Sequence, residues 1–325
     1  MESLTRRKFL KTSLAAGAAL PLACTETREV AAPPTGEGGL ARRTLGRTGQ
    51  RVTLLGLGCA YVGTADEADA RQVVETALDC GIRYFDTAPN YKASEERLGR
   101  LLAGVRKDVF LVTKLDHIDA KGAEADLRRS LGKLRTDHVD LLLLHGVGLQ
   151  GAWREVGKML AKDGALAYAR RAKRQGLTRF IGMSVHPPHR WALKLLDGAD
   201  DLDLAMPFVN PLMAGEAGAA DLLARCRRMG MALAAMKVLG GDGQLAADYD
   251  RTFRYALSVP GVSCAVIGAK KADEVRRAAR AAREFRPLTP AERKEAVRAA
   301  GRGVLANAPE YAQLRRHFAR DLAAV

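Results

Sequence analysis

The sequence has few cysteines, and none of them form the close pairs that bind metals or clusters. The five are scattered along the chain, at Cys24, Cys59, Cys80, Cys226 and Cys264. Without a CxxC pair, the sequence predicts neither a zinc site nor an iron–sulfur cluster, and it does not indicate a disulfide framework. We therefore predict no metal site.

Aromatic residues are also scarce, at 5% of the 325 residues, although the formal net charge is +15. Dense positive charge attracts nucleic acid. Here the basic residues are dispersed, many of them on predicted helices, and the stacking aromatics that usually accompany nucleic-acid binding are missing. We predict that nucleic acid is not a partner, and that the 47% hydrophobic content forms a full globular core.

Residues 1–24 have the features of an export signal. A basic stretch, Thr5–Lys11, precedes an Ala-rich apolar stretch, Leu14–Ala23. The apolar stretch is shorter than the roughly 20 residues that span a bilayer, as expected of a segment that is removed. With its paired Arg6 and Arg7, the segment resembles a twin-arginine signal. The resemblance implies the twin-arginine export machinery as a partner.

Cys24 follows a small residue in a pattern that resembles a lipoprotein cleavage site, although Pro21 stands where that pattern prefers Leu. A lipid anchor at Cys24 therefore remains open, as does a basic amphipathic start on a cytoplasmic protein. We expect export across the cytoplasmic membrane, to the periplasm or to a lipid anchor. Residues 25–39, with two prolines and three glycines, predict a flexible linker.

From Arg43 onward, short apolar runs alternate with longer segments of helical period, which is typical of parallel βαβ units. The predicted strands are Leu54–Gly58, Tyr84–Asp86, Val109–Thr113, Val139–Leu144, Phe180–Ser184, Leu204–Phe208, Ala232–Met236 and Ala265–Ile267. The predicted helices are Asp66–Asp79, Glu95–Leu102, Ala123–Leu134, Leu160–Gln175, Pro188–Leu196, Ala219–Arg228, Asp248–Ser258 and Ala272–Arg283.

A doubly wound open sheet would show the same alternation, but its nucleotide-binding form has GxGxxG after the first strand. The segment Gly56–Tyr61, GLGCAY, lacks the third glycine. The preceding Arg43–Val52 predicts a hairpin that closes the bottom of a barrel. We therefore predict an α/β fold over residues 40–325, a (β/α)8 TIM barrel with an N-terminal β-hairpin and a C-terminal helical tail.

Polar side chains follow three consecutive predicted strands. Asp86 ends the second strand, Lys114 follows the third, His145 follows the fourth, and Tyr91 comes five positions after Asp86. Functional residues of parallel barrels lie at the carboxyl ends of the strands. Each residue alone has an ordinary structural explanation, such as a helix cap or a packed histidine. Their grouping on one rim predicts a single site.

These residues resemble the aldo-keto reductase superfamily, whose signature runs Phe-Asp-Thr-Ala, then Tyr, then Ser-Glu. The corresponding segment here is Phe85–Glu95, FDTAPNYKASE, and the similarity extends from Arg43 to about Arg283. Lys92 stands where many relatives have Gly, which would alter the loop beside Tyr91. The resemblance implies an NADP(H)-dependent oxidoreductase that reduces a small aldehyde or ketone.

Carbonyl reduction needs a hydride donor and a proton for the developing alkoxide. Tyr91 would be the general acid, and the nearby charge of Lys114 would lower its pKa from about 10. Asp86 would pair with Lys114 and keep it charged. His145 would hydrogen-bond the substrate oxygen and orient it.

The resemblance also implies that the fifth and seventh strands hold the nicotinamide end of the cofactor. Ser184 matches the position that binds the carboxamide, whereas Val185 and Met206 replace two expected amides. Met236 replaces a stacking Tyr, and its soft side chain still suits a ring face. The residues predicted for the pyrophosphate loop are Lys237, Leu239 and Gly240.

The eighth strand leads into a basic helix start that suits a 2′-phosphate, which favours NADP over NAD. The residues predicted for this anion site are Gly268, Lys270, Lys271 and Arg276. The residues of the predicted pyrophosphate loop are also compatible with a Gly-rich turn after a core strand. Those of the anion site are also compatible with solvated charges on a strongly basic helix.

Two other functions stay open at this stage. One is an NADP-binding barrel that acts as a sensor or accessory subunit with little turnover, which the missing amides favour. The other is a barrel that acts on phosphorylated sugars. The sequence does not identify the substrate, because specificity depends on loops such as Gly146–Met159.

Overall fold

The computed structural model describes residues 39–149, 151–216, 218–241, 243 and 245–304. The predicted export signal and all of the predicted linker except Gly39 lie outside the described residues, as does the C-terminal tail after residue 304. Within these ranges, no helix is long and apolar enough to cross a membrane. No group of three or more metal-ligating side chains occurs in the described part of the chain.

Eight parallel strands close into a barrel, in which the last of the eight pairs with the first and every other strand pairs with its neighbour in sequence. Helices surround it, which confirms the predicted (β/α)8 fold. The barrel strands are Leu55–Gly58 (β3), Tyr84–Asp86 (β4), Phe110–Leu115 (β5), Val139–Val147 (β6), Thr178–Val185 (β7), Leu204–Pro207 (β8), Ala232–Ala235 (β9) and Val262–Gly268 (β10).

The helices are Ala60–Thr64 (α1), Glu67–Asp79 (α2), Ser94–Leu101 (α3), Ala120–Leu134 (α4), Val156–Leu160 (α5), Ala165–Arg174 (α6), Arg190–Leu196 (α7), Ala219–Arg228 (α8), Tyr249–Ser258 (α9), Ala272–Arg283 (α10) and Pro290–Val304 (α11). Helix α11 lies within the predicted helical tail. With one exception, both ends of each predicted strand and helix lie within three residues of the observed ends.

The exception is the predicted helix Leu160–Gln175, which is wrong in its first turn. The chain instead forms α5, an extended turn, and then α6. Gly164 forms an isolated β-bridge with Asp119, and Asp163 O accepts a 2.6 Å hydrogen bond from Ala120 N. A Cβ at Gly164 would lie 2.3 Å from Lys158 O, so this close approach requires glycine.

The core has two layers because strand residues alternate between the barrel interior and the helices. In β6, Leu141 and Leu143 join the interior cluster, whereas Leu142 and Leu144 pack with the helical layer. This explains why the strand is apolar at consecutive positions. At the amino-terminal end of the barrel, Tyr84 stacks on Phe110 with ring centroids 5.3 Å apart.

A hairpin of Arg42–Thr44 (β1) and Arg51–Thr53 (β2) closes that end, as predicted. Leu45 and Val52 are buried and belong to the interior cluster. Arg47 N donates a 2.7 Å hydrogen bond to Gly230 O, which ties the hairpin to the start of β9. The amino-terminal mouth is therefore plugged, and the carboxyl ends of the strands remain as the open mouth.

Candidate active site

Asp86 and Lys114 form a buried ion pair at the carboxyl ends of β4 and β5. The two side chains meet because Asp86 pairs in register with Val112, two residues before Lys114. Lys114 Nζ donates to Asp86 Oδ1 at 2.9 Å, to Asp86 Oδ2 at 2.8 Å and to Thr87 O at 2.7 Å. Burial alone lowers the pKa of Lys114, but Asp86 and Tyr91 raise it above its ordinary value. The lysine is therefore held charged although it is only 1% exposed.

Tyr91 lies against this pair. Its hydroxyl is 3.5 Å from Lys114 Nζ, which also lies 4.8 Å from the centre of the ring. Burial raises the pKa of Tyr91 more than Lys114 lowers it, so the net direction is upward. This differs from the downward shift expected from the sequence, because burial of the ring depends on tertiary packing. The phenol is protonated at neutral pH.

The loop that presents Tyr91 has a left-handed residue directly after it. Lys92 has φ of 51°, a conformation that costs a side-chain-bearing residue about 1–2 kcal/mol. Helix α1 packs closely on the same loop. A Cβ at Gly63 would lie 1.8 Å from Tyr91 O, so this contact requires glycine. The chain therefore adopts a left-handed turn directly after Tyr91, although Lys92 carries a side chain.

His145 completes the group. Its ring and that of Tyr91 form a T-shaped pair with centroids 5.9 Å apart. Its Nδ1 lies 2.5 Å from Asp116 Oδ1, a contact that the sequence analysis did not anticipate. Burial lowers the pKa of His145, Asp116 raises it and Lys114 lowers it, and the net shift is downward. The structure thus brings all four predicted catalytic residues together.

A cleft of about 510 Å³ extends from Asp86 and Tyr91 across the mouth of the barrel. This volume lies within the range of cofactor and small-molecule sites. Most of the predicted cofactor-binding residues line it, namely Met236, Lys237, Leu239, Gly240, Gly268 and Lys270. Met206, which replaces an expected amide, also lines it.

Ser184 does not line this cleft. It is 1% exposed at the end of β7. Its hydroxyl accepts a 2.8 Å hydrogen bond from Gly146 N and contacts Leu144 O at 3.5 Å. In this structure Ser184 fixes the turn that follows His145.

The loop after β9 has the open backbone expected of an anion-binding turn. Lys237 has φ of 52° and Gly240 has φ of 86°. Asn210 fixes this loop, because its side-chain amide donates to Lys237 O at 2.8 Å. Asn210 was not among the predicted residues, since nothing in the sequence links it to a loop on the next strand.

Basic and aromatic residues meet at the far end of the cleft. Lys270 Nζ lies 4.9 Å from the ring centre of Tyr61, and the Arg277 guanidinium lies 4.2 Å from that of Tyr249. Glu274 is also part of the lining, and its Oε2 accepts a 2.6 Å hydrogen bond from Lys270 N. This end offers two cations and one carboxylate.

Two predicted anion-binding residues lie outside the cleft lining. Lys271 forms an ion pair with Asp69 of α2. Arg276 Nη1 pairs with Asp273 Oδ1 at 2.6 Å, and both side chains are more than half exposed. Arg277, one position further along α10, lines the cleft instead.

A model of the Aldo/keto reductase family matches residues 54–253, more than half of the chain. An aldo-keto reductase of Mycolicibacterium vanbaalenii is 37% identical over 166 residues, which cover 49% of this chain and 53% of that protein. Methylglyoxal reductase DkgA of Yersinia pestis is 35% identical over 150 residues, which cover 43% and 48%. The chain thus spans about half the length of the curated relatives it matches.

Among solved structures, an aldo/keto reductase from Klebsiella pneumoniae in complex with NADP and acetate has the same fold. It aligns with a TM-score of 0.63 and 21% identity, covering 79% of this chain and 95% of that one. The family match covers both the strand-end residues Asp86, Lys114 and His145 and the loop of Tyr91. The chain belongs to the aldo/keto reductase family.

Proposed function

We propose that the protein is an NADP(H)-dependent oxidoreductase that reduces a small aldehyde or ketone to an alcohol. The observation that supports this most strongly is that the cleft lined by Tyr91 and Asp86 is continuous with the basic end at Lys270 and Arg277. A proton donor and an anion-binding end on one cleft suit a reductase with a phosphorylated dinucleotide.

The residues present fit such a cofactor. Gly240 and Gly268 leave the backbone open beside the cleft, and Met206 and Met236 offer soft side chains at its inner end. Lys237 and the loop around it would hold the pyrophosphate, and Lys270 with Arg277 would hold a 2′-phosphate. NADPH bound there supplies the hydride that these side chains lack.

Tyr91 is the proton donor in this proposal. Tyr91 lines the cleft, its hydroxyl carries a proton at neutral pH, and Lys114 Nζ lies 3.5 Å from that hydroxyl. As Tyr91 gives its proton to the substrate oxygen, the developing phenolate is stabilised by the ammonium of Lys114. Asp86 keeps that ammonium in place through its two short hydrogen bonds. His145 orients the substrate oxygen beside Tyr91.

The test is a fluorescence titration of the purified full-length chain with NADPH, followed by the loss of NADPH absorbance on addition of aldehydes and ketones, methylglyoxal included. We expect binding and oxidation, with oxidation lost in Tyr91→Phe while binding remains. Absence of binding would refute the cofactor assignment. The same titration with sugar phosphates in cofactor-free protein tests the sugar-phosphate alternative.

A second candidate is an NADP-binding sensor with little turnover. The observation that favours it is that no amide takes the places of Val185 and Met206, and that Ser184 is already bonded to Gly146. It predicts NADPH binding with no oxidation by any member of the panel. A single-turnover measurement with excess enzyme separates slow chemistry from none.

The proposal includes export through the twin-arginine machinery, with NADP carried in the folded protein because free NADPH is not expected outside the cytoplasmic membrane. Fractionation of cells that produce the wild type and an R6K/R7K variant tests this. We expect the wild type in the exported fraction and the variant in the cytoplasm.

Two further measurements test the anchor and the bound cofactor. A Cys24→Ser variant that leaves the membrane fraction would support a lipid anchor. Rapid loss of NADP on dilution of the protein would contradict export with NADP bound.

A further inference from the structure

Asp116 is the partner of the His145 ring. It comes directly after the last residue of β5 and two positions after Lys114. Its Oδ1 lies 2.5 Å from His145 Nδ1. Both side chains are largely buried, at 21% and 14% exposure. Because a carboxylate accepts hydrogen bonds but does not donate them, the ring proton must lie on Nδ1.

The backbone around Asp116 is itself anchored. Asp126 of α4 is fully buried, and its Oδ2 accepts from Asp116 N at 2.8 Å and from His117 N at 3.0 Å. Asp126 Oδ1 pairs with Arg129 at 2.6 Å. The backbone of Asp116 is therefore held in place independently of the histidine, which fixes the position from which its carboxylate meets the ring.

A proton on Nδ1 determines what the other ring nitrogen does. In the neutral ring Nε2 has a lone pair, so it accepts a hydrogen bond and cannot donate one to a carbonyl oxygen. In the imidazolium form both nitrogens donate. Among the described residues, no hydrogen bond occupies Nε2, and the ring packs in a T-shaped arrangement with that of Tyr91.

We propose that Asp116 is a positioning residue that keeps the proton of His145 on Nδ1, so that Nε2 donates to a carbonyl substrate only as imidazolium and accepts from an alcohol when neutral. This rests on the proposed reductase function. It makes the binding of carbonyl substrate and alcohol product depend on the protonation of one histidine, which Asp116 controls.

Several charged or titratable groups surround this ring. They are Lys114 and Asp116 on β5 and just after it, Asp86 on β4, Tyr91 in the loop after β4, and His186 after β7. Burial lowers the pKa of His186 to about 4, so that it is neutral near pH 7. Asp116 is the group in direct contact, and it raises the pKa of His145 against burial and Lys114.

The pH dependence follows from these directions. Imidazolium predominates below the pKa of His145, which lies below its ordinary value. The kcat/KM of carbonyl reduction should therefore fall as pH rises through that value. Loss of the Asp116 charge lowers the pKa further, so the same fall should occur at lower pH.

The experiment compares Asp116→Asn, Asp116→Leu and a matched control. Asn retains an oxygen that accepts from Nδ1 but removes the charge, whereas Leu removes both. Asp119→Asn is the control, because Asp119 is an exposed N-cap of α4 whose Oδ1 accepts from Gly122 N, and Asn caps equally well. Circular dichroism verifies that each variant is folded.

The first readout is NMR of 15N-labelled histidine in the cofactor-free protein. The chain has six histidines, and the His145 signal is identified by its loss in His145→Gln. We expect the Nδ1–H tautomer in the wild type, Asp116→Asn and Asp119→Asn, and its loss in Asp116→Leu. An Nε2–H tautomer in the wild type would overturn the proposal.

The second readout is the pH profile of aldehyde reduction at saturating NADPH. In Asp116→Asn the fall in kcat/KM should move to lower pH by about one unit, as expected for a close opposite charge, whereas Asp119→Asn should match the wild type. An unmoved profile in Asp116→Asn would contradict the proposal. If no aldehyde is reduced, the reductase function fails, and the NMR tautomer still decides the role of Asp116.

Discussion

Lys114 Nζ lies between the Asp86 carboxylate, at 2.8 Å, and the Tyr91 hydroxyl, at 3.5 Å. The lysine therefore connects a buried negative charge to the proposed proton donor. Removal of either partner has a structural and a chemical consequence, and the two are separable by measurement.

Lys114→Met should lower kcat by at least about 100-fold, since the phenolate of Tyr91 would lose its counter-charge. It should also destabilise the fold by about 3–5 kcal/mol, because Asp86 would remain charged and unpaired in a buried site. Steady-state kinetics and urea denaturation measure the two effects. The double variant Asp86→Asn/Lys114→Met should recover stability without activity. Recovery of activity as well would show that the charge is not needed for catalysis.

Tyr91 should stay protonated through the neutral and mildly alkaline range, because burial raises its pKa more than Lys114 lowers it. Ultraviolet titration of the wild type against Tyr91→Phe, with Tyr168→Phe as the control, detects its ionisation. We expect the Tyr91 phenolate to form at a higher pH than that of an ordinary tyrosine, and about a 100-fold or greater loss of kcat in Tyr91→Phe alone. A phenolate signal near neutrality would mean that the lysine outweighs burial.

Four basic residues lie around the start of α10, and they should differ in their effect on cofactor affinity according to whether they line the cleft. Lys270→Ala and Arg277→Ala should each weaken NADPH binding about tenfold, a loss of about 1.4 kcal/mol that is typical of a charge-assisted hydrogen bond. NADH affinity should change less. Lys271→Ala and Arg276→Ala are matched controls, because both side chains pair with acids outside the cleft. Equal effects from both pairs would contradict a specific 2′-phosphate site.

Glu95 makes the stability depend on pH. It is 1% exposed and accepts a 2.7 Å hydrogen bond from Thr113 Oγ1, and burial raises its pKa. A carboxyl with a raised folded-state pKa stabilises the fold below its unfolded-state value, and this contribution is lost as pH rises through the folded-state value.

Glu95→Gln should therefore be more stable than the wild type at pH 8 by about 0.5–3 kcal/mol, with a smaller difference at pH 4. Urea denaturation at both pH values measures this. Glu96→Gln is the control, because the Glu96 side chain is 59% exposed. A difference that does not change with pH would show that Glu95 is not ionised on the way to pH 8.

The sequence predicted the barrel because its signals are local. Eight apolar runs alternate with helical segments, and the continuous run of β6 indicates a strand buried on both faces. The strand ends of β4, β5 and β6 were sufficient to bring Asp86, Lys114 and His145 to one mouth, since carboxyl ends of parallel strands share an edge. Tyr91 followed from the loop motif attached to Asp86.

Only the tertiary structure determined which of the two adjacent arginines of α10 faces the cleft. Arg276 and Arg277 are adjacent, and successive helix residues point about 100° apart, so the rotation of α10 against the barrel selects Arg277. The same holds for the Gly164 turn, which depends on pairing with Asp119, and for the direction of the Tyr91 pKa, which depends on burial. The Asp116–His145 contact joins two strand ends 29 residues apart. The alternation of strands and helices along the sequence predicts which strands are neighbours. Side-chain contact between them depends on register and rotamer, which packing alone decides.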